Sequence, residues 1–233
     1  MSLRTFILGL SASFGIAWLG IIVIPYLKMR NLQPIELSEA VDGETGIFYP
    51  KRTGRIADGA MVYAENGCYL CHTQVIRPTY AGNDLYRPDW GGLAADPDRG
   101  DTRRETNAFD FIGERFAQIG VSRMGPDLSN LGRRVESNYA VESDPTQWLL
   151  AQRYDPRHLP ERAKSLCPPS RYLFIEREIK GAASNNAILV KGDTEVVPSS
   201  EALALVSYLL SLKKDQAVPA ALNFAPPKPQ AAP

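Results

Sequence analysis

The chain has 233 residues and a mass of 25.7 kDa, and its 26 Lys and Arg balance its 26 Asp and Glu. This zero net charge excludes a nucleic-acid-binding protein that depends on bulk positive charge. With 44% apolar and 22% charged residues, the chain is too polar for a protein with many membrane spans. Three cysteines are too few to form the disulfide scaffold of a domain this large.

The first predicted element is a membrane-spanning helix. Residues 5–26 are 22 residues without a charge, and about 20 apolar residues cross a hydrocarbon core. Arg4 precedes the run and Lys28 and Arg30 follow it, so flanking charge does not determine its orientation. A cleaved signal peptide is the alternative, but the run exceeds the usual core of about 7–15 residues and lacks a small-residue cleavage site. We therefore predict a transmembrane anchor over residues 1–30.

A linker and a short helix are predicted next. Residues 31–57 are polar and contain five Pro or Gly residues, which is typical of a linker or an extended arm. Asp58 suits the N-cap of a helix through Ala64, and Gly67 ends that helix directly before Cys68.

The middle of the chain is predicted to be mostly loop. Residues 77–107 are rich in Pro, Gly, Asp and Arg, and a loop of this length is usually functional. Its charged run is interpreted as a solvated surface of mixed sign: Asp98, Arg99, Asp101, Arg103, Arg104 and Glu105. Short helices are predicted over 109–119 and over 145–154, the second capped by Asp144. Residues 155–198 are predicted to be loop.

The last predicted helix covers residues 199–213. Ser199 suits its N-cap, and apolar residues recur along it at helical spacing. From 215 to 233 the chain is rich in Ala and Pro, which predicts a disordered tail. These boundaries leave a folded domain over residues 58–214.

Cys68, Cys71 and His72 form the pattern C-x-x-C-H, which is the attachment motif of a c-type haem. Two thiols on one tight turn can form thioethers with the vinyl groups of one haem, and the next residue supplies an imidazole to the iron. A thioredoxin-like pair is an alternative, but no βαβ pattern surrounds it. A zinc site would need His158 or Cys167 as its fourth ligand. Chance explains this clustering of rare residues poorly, so we predict one covalent haem c.

The haem prediction also sets topology. Covalent haem is attached outside the bacterial cytoplasm, so the anchor is interpreted as a single pass through the inner membrane with a cytoplasmic N-terminus and a periplasmic haem domain. The order of helix, C-x-x-C-H motif, loops and helix fits an all-α, class I-like cytochrome c domain with long loops. In that fold the helix entering Cys68 crosses the helix at 199–213 beside the haem.

Three segments carry a family resemblance: GCYLCHTQVIRP (67–78), GPDLSNLGRR (125–134) and DPRHLPERAKSLCPPSRYLF (155–174). They resemble the membrane-anchored monohaem cytochrome c subunit, subunit II, of cbb3-type cytochrome c oxidases. The match covers the anchor and nearly all of 55–213, and it is weakest in 80–120. The resemblance implies electron transfer from a dihaem or soluble cytochrome to a haem–copper catalytic subunit that reduces O₂ and pumps protons. The chain alone is not expected to be catalytic.

The resemblance also implies the iron ligands. His72 is the proximal ligand, and the carbonyl of Pro126 accepts a hydrogen bond from its ring. Cys167 stands where the family has its distal Met. A thiolate favours ferric iron, whereas Met raises the reduction potential. Ligation by Cys167, by His158 or by Met124, and a five-coordinate iron, therefore stay open.

Other functions also stay open. The chain could be the cytochrome c subunit of a nitric oxide reductase or of another membrane complex. It could also be a membrane-anchored haem sensor with a thiolate or an open distal position, or a non-haem thiol module. Arg77, five residues after His72, has two interpretations, as a partner for a haem propionate or as a solvated side chain.

Overall fold

The computed structural model describes residues 2–30, 52, 54–139 and 144–216. It divides the chain into two compact units, Met1–Leu37 and Ser38–Pro233. In the second unit the regular secondary structure is mainly helical, joined by long loops, and it includes a small antiparallel sheet. Most of the predicted linker and nearly all of the predicted tail lie outside the described residues.

The described part of the N-terminal unit is one continuous helix, Leu3–Met29. Its parts are α1 (Leu3–Trp18), a π-helical segment (Leu19–Val23) and α2 (Ile24–Met29). Pro25 lies in the first turn of α2, and its ring crowds the preceding turn, which accounts for the wider segment before it. The 27 residues extend about 40 Å and reach a mean hydropathy of 2.3. The helix is long and apolar enough to cross a membrane.

Two helices from distant parts of the sequence pack together in the second unit. These are α3 (Arg55–Glu65) and, near the end of the described chain, Ser200–Leu210. A Cβ atom on Gly59 would lie 2.0 Å from the backbone oxygen of Ala204, so the two backbones are in direct contact. The rings of Tyr63 and Tyr208 meet edge to face at 5.4 Å. This confirms the expected pairing of the two helices.

The start of α3 differs from the prediction. Gly54 occupies the N-cap and the helix begins at Arg55, so Asp58 lies in the first turn and does not cap it. An acidic residue there still interacts favourably with the positive end of the helix dipole. The short helix α4 (Leu131–Arg134) follows the long loops.

The remaining helix caps match the sequence. In α5 (Pro145–Tyr154), the Asp144 carboxylate accepts a hydrogen bond from the Gln147 backbone N–H. In α6, the Ser200–Leu210 helix, the Ser199 hydroxyl accepts one from the Ala202 N–H. Helices α3, α4, α5 and α6 share one apolar core, whose largest members include Tyr63, Leu131, Trp148, Leu149, Leu205, Tyr208 and Leu209.

A three-stranded sheet corrects the all-α prediction and the loop predicted over 155–198. Its strands are β1 (Phe174–Glu178), β2 (Leu189–Lys191) and β3 (Thr194–Pro198), with β3 central and antiparallel to both neighbours. The central strand buries Val196 and Val197, and the β-branched side chains suit a strand. Gly192, with φ of +56°, turns the chain between β2 and β3.

The segment 109–119 also differs from the prediction, because its helix is only a 3₁₀ turn over Ala108–Phe111. Asp110 is buried there and forms a hydrogen-bonded ion pair with Arg104. Gly113 follows with φ of +79°, which a helix cannot continue through. Tertiary pairing of Asp110 has therefore overridden the local apolar periodicity.

The charged run after residue 97 is not simply solvated surface. Arg104 and Glu105 are buried, and Arg99 reaches Asp215 with an Nη2–Oδ2 distance of 3.0 Å. Asp215 is itself 3% exposed and also pairs with Arg133. The first two residues assigned to the tail therefore belong to the folded unit.

Candidate functional site

The cysteine motif forms one tight turn at the end of α3. Gly67 has φ of +66° and directs the chain into a 3₁₀ turn over Cys68–Leu70. The backbone N–H of His72 donates to the carbonyl of Cys68 at 3.1 Å, which fixes the imidazole directly after the turn. Cys68 and Cys71 are both free thiols and half-buried.

One ring nitrogen of His72 is held by the chain. Nδ1 lies 2.8 Å from the carbonyl oxygen of Pro126, the contact expected from the sequence. A carbonyl oxygen only accepts, so Nδ1 carries a proton, and Nε2 is the ring nitrogen that the main chain leaves unoccupied. A Cβ atom on Gly125 would lie 2.1 Å from Cε1 of His72, so the ring packs directly on glycine backbone. The imidazole orientation is therefore fixed by main-chain atoms.

Asp127 secures this arrangement, although sequence analysis gave it no role. It is fully buried, and its carboxylate accepts hydrogen bonds from the Thr73 hydroxyl at 2.6 Å and the Val75 N–H at 2.9 Å. Its other oxygen accepts from the Ser129 N–H at 2.8 Å. One carboxylate thus joins the segment after His72 to the turn that contains Pro126.

A second carboxylate supports the same side of the ring. Asp84 accepts hydrogen bonds from Arg77 through Nε and Nη2, and from Arg123 through Nη1 at 2.6 Å. Arg123 also donates to the carbonyl of Val75. Burial alone would raise the pKa of Asp84, but the hydrogen bonds from the two arginines outweigh it and lower that pKa well below its usual range. Arg77 is therefore paired within the chain.

Cys167 lies near His72, close enough for the two side chains to influence each other. Because Pro126 engages Nδ1, Nε2 is the ring nitrogen left for that interaction. The Sγ atom also accepts from Nη2 of Arg153 at 3.2 Å. Burial alone would raise the pKa of Cys167, but the hydrogen bonds with His72 and Arg153 lower it to about 7.

The same guanidinium also influences the motif. Burial raises the pKa of Cys68, and the positive charge of Arg153 opposes that effect, while the nearby thiols of Cys167 and Cys71 reinforce it. The structure therefore gathers the predicted site residues around one imidazole. Arg153 belongs to this group, although no pattern in the sequence indicated it.

Two other candidate ligands lie elsewhere. His158 is exposed in a 3₁₀ turn, and its backbone N–H donates to the Asp155 carbonyl. Met124 is 77% exposed and directly precedes the glycine that packs on His72, which places it on the Pro126 side of the ring. In the described part of the chain, neither forms a hydrogen bond with His72. Nor do three or more His, Cys, Asp or Glu residues there form a group that could hold a metal ion.

Comparison with known proteins adds no assignment: no protein-family model matches the chain, and no curated protein matches it. Membership of the cbb3-type subunit family therefore stays a prediction from the motifs. The donor set itself fits a covalent haem c, because two thiols share one turn and a properly protonated imidazole follows them. The thiol of Cys167 is a further sulfur donor near the same imidazole.

Proposed function

We propose that this chain is a membrane-anchored monohaem cytochrome c that transfers electrons. The observation that carries the proposal is His72, which directly follows a turn with two thiols and whose Nδ1–H donates to Pro126 over 2.8 Å. When bound, haem c supplies an iron that gains and loses one electron. Cys68 and Cys71 would hold it through sulfur, and Nε2 of His72 would bind the iron.

The surrounding residues keep this ligand in one orientation. The Pro126 carbonyl holds the Nδ1 proton, so Nε2 is the nitrogen that would bind the iron, and Gly125 allows the ring to lie on the backbone. Cys167 lies near the same imidazole, so its sulfur would be the second protein group to hold the iron. A thiolate there favours the ferric state and lowers the potential of the site.

We further propose that the chain crosses the bacterial inner membrane once, with its N-terminus in the cytoplasm and its haem domain in the periplasm. The long apolar helix Leu3–Met29 supports the membrane location, and covalent haem attachment outside the cytoplasm supports the orientation. The packing of α3 on α6 beside the cysteine turn supports a class I-like cytochrome c arrangement, to which the sheet is an addition.

The partners follow from the sequence resemblance. The haem–copper catalytic subunit of a cbb3-type oxidase would receive the electron, and a dihaem or soluble cytochrome would donate it. Co-purification of the full chain with a haem–copper oxidase subunit tests this assignment. Recovery with a nitric oxide reductase, or alone with a small molecule bound at the distal side, would contradict it.

The haem proposal is tested by expressing the full chain together with cytochrome c maturation machinery. We expect a c-type pyridine haemochrome spectrum that survives denaturation and acid-acetone extraction. Replacing both Cys68 and Cys71 with Ala removes the covalent pigment, whereas Cys167→Ala keeps it, because that sulfur forms no thioether. A wild-type protein without a Soret band contradicts the proposal.

Ligation by Cys167 has its own test. Cys167→Met replaces a charged sulfur ligand with a neutral thioether, so we expect a higher reduction potential and a changed ferric absorption spectrum. Lys164→Met, on an exposed side chain of the same segment, is the matched control and should leave both unchanged. An unaltered spectrum and potential in Cys167→Met would reject this ligand and leave the covalent haem intact.

A further inference from the structure

Arg153 differs from the many arginines in this chain that pair with carboxylates. It lies in the last turn of α5, and its Nη2 donates to the sulfur of Cys167 at 3.2 Å. Its Nε and Nη2 also donate to Oε1 of Gln152, at 2.9 and 2.7 Å. No carboxylate pairs with it among the described residues, so its positive charge remains available to the sulfur.

The main chain of Arg153 holds the same segment. Its carbonyl oxygen accepts a hydrogen bond from the Ser170 N–H at 2.8 Å, three residues after Cys167. The side chain and the backbone of one residue therefore fix both the thiol and the chain that follows it. By contrast, the exposed pair Arg171–Asp155 lies at the edge of this segment and does not contact the sulfur.

We infer that Arg153 positions the Cys167 thiolate toward His72 and raises the reduction potential of the site, an inference that rests on the function proposed above. A guanidinium stays protonated in proteins and donates in a fixed geometry. Its hydrogen bond withdraws charge from the sulfur, which makes the thiolate a weaker donor to iron. Reduction adds one electron to the site, and the nearby positive charge stabilises that added charge.

This role of Arg153 would allow an iron site with a thiolate ligand to be reduced and oxidised repeatedly. An unassisted thiolate holds iron in the ferric state and disfavours the reduced form that a relay must visit. Arg153 offsets part of this preference without replacing the ligand. Gln152 keeps the guanidinium plane directed at the sulfur, because it accepts from both nitrogens on the same edge.

The test is an equilibrium redox titration of the full-length, haem-loaded protein. In Arg153→Leu we expect the reduction equilibrium to shift about tenfold toward the ferric form, since a hydrogen bond to a charged group contributes an effect of this order. For one electron this shift lowers the potential by about 59 mV. Arg153→Lys keeps the positive charge but loses the planar guanidinium that donates from two nitrogens. Its reduction potential should therefore lie between those of Arg153→Leu and wild type. Arg157→Leu removes an exposed charge that pairs with Asp155 and should leave the potential unchanged.

The same titration in a Cys167→Met background separates the two proposals. A thioether carries no charge for Arg153 to stabilise, so Arg153→Leu should then have little effect. If Arg153→Leu has the wild-type potential and ferric spectrum while Cys167→Met changes both, the inference about Arg153 is wrong and the ligand assignment survives. If Cys167→Met changes neither, the ligand assignment itself fails.

Gln152→Ala keeps the experiment decisive if Arg153→Leu does not fold. It leaves the arginine in place and removes only the group that orients it, so a smaller decrease in potential is expected. A wild-type potential in both Gln152→Ala and Arg153→Lys would overturn the inference.

Discussion

The two sides of His72 are built from different kinds of contact. On the Pro126 side, which we call the proximal side, buried carboxylates and main-chain hydrogen bonds join residues 72–77 to residues 119–131. The distal segment, residues 155–171, contains the 3₁₀ turns Pro156–His158 and Pro160–Arg162 and irregular loop, with exposed side chains such as Leu166 at 89% exposure. There the sulfur of Cys167 is held mainly by one guanidinium.

This difference separates two tasks. The proximal side fixes the orientation and tautomer of an imidazole, and backbone atoms and a fully buried carboxylate do this with little freedom. Under the proposed function the distal segment only has to present one sulfur, so Cys167 could be replaced without disturbing the core. Substitutions on the proximal side should therefore affect folding and haem content, whereas distal ones should affect the redox properties.

The largest expected effect is that of Asp127→Ala. It leaves the Val75 and Ser129 N–H groups and the Thr73 hydroxyl without their shared acceptor, which costs about 4 kcal/mol in unfolding free energy. Urea denaturation measures this cost. Asp193→Ala removes an exposed carboxylate and should leave the midpoint unchanged. Equal midpoints for the two variants would contradict the proposed rigidity of the proximal side.

Gly125→Ala should have the second-largest effect. Its added methyl group would overlap the His72 ring, so the ring must rotate away from Pro126. We expect the free energy of unfolding to fall by about 3 kcal/mol. We expect most of the covalent haem to be lost, as measured by the pyridine haemochrome of purified membranes. The distal comparison is Lys164→Ala, whose haem content should equal that of wild type. Similar losses in both variants would remove the distinction between the two sides.

Asp84→Asn should lower the free energy of unfolding by about 2 kcal/mol. Disrupting a fully buried ion pair would cost more, but Arg77 reaches solvent, which screens its charge. The pKa of Asp84 is lowered in the folded state, so its contribution is complete above the ordinary carboxyl value near pH 4 and is lost as the pH falls toward the folded-state value. The difference between wild type and variant in urea midpoint should therefore narrow below pH 4. Asp98→Asn, at an exposed carboxylate, serves as the control.

The smallest expected effect belongs to Arg171→Leu in the distal segment. Arg171 forms a short ion pair with Asp155, but its side chain is 60% exposed and solvent screens the attraction. We expect no resolvable change in the urea midpoint and no change in reduction potential. A clear loss of stability would show that the distal segment depends on its ion pairs, contrary to the comparison above.

Features encoded locally were predictable from the sequence. The apolar run before Arg30, the caps Asp144 and Ser199, and the glycine before Cys68 all act over a few residues, and each is present in the structure. The contact between His72 and Pro126 was also expected, although from the family resemblance. Its haem assignment stays a prediction until the pigment is measured.

Features that depend on distant partners were missed. Three residues look like ordinary charged residues in the sequence: Asp127, Arg153 and Asp215. Asp127 and Asp215 acquire their roles only when segments dozens of positions apart meet, and Arg153 contacts Cys167 across 14 positions. The helix predicted over 109–119 failed because Asp110 finds a buried arginine. The sheet was missed because β1 pairs with a strand about 20 residues later and exposes most of its side chains.

The contact between Gly59 and Ala204 has a consequence for how the protein is made. Because translation proceeds from the N-terminus, α3 is synthesised more than 130 residues before the helix that completes its packing. Cys68 and Cys71 therefore emerge while their domain is still open. Until α6 has been made, the face of α3 that contains Gly59 has no partner, so the cysteine turn is synthesised long before the packing beside it can form.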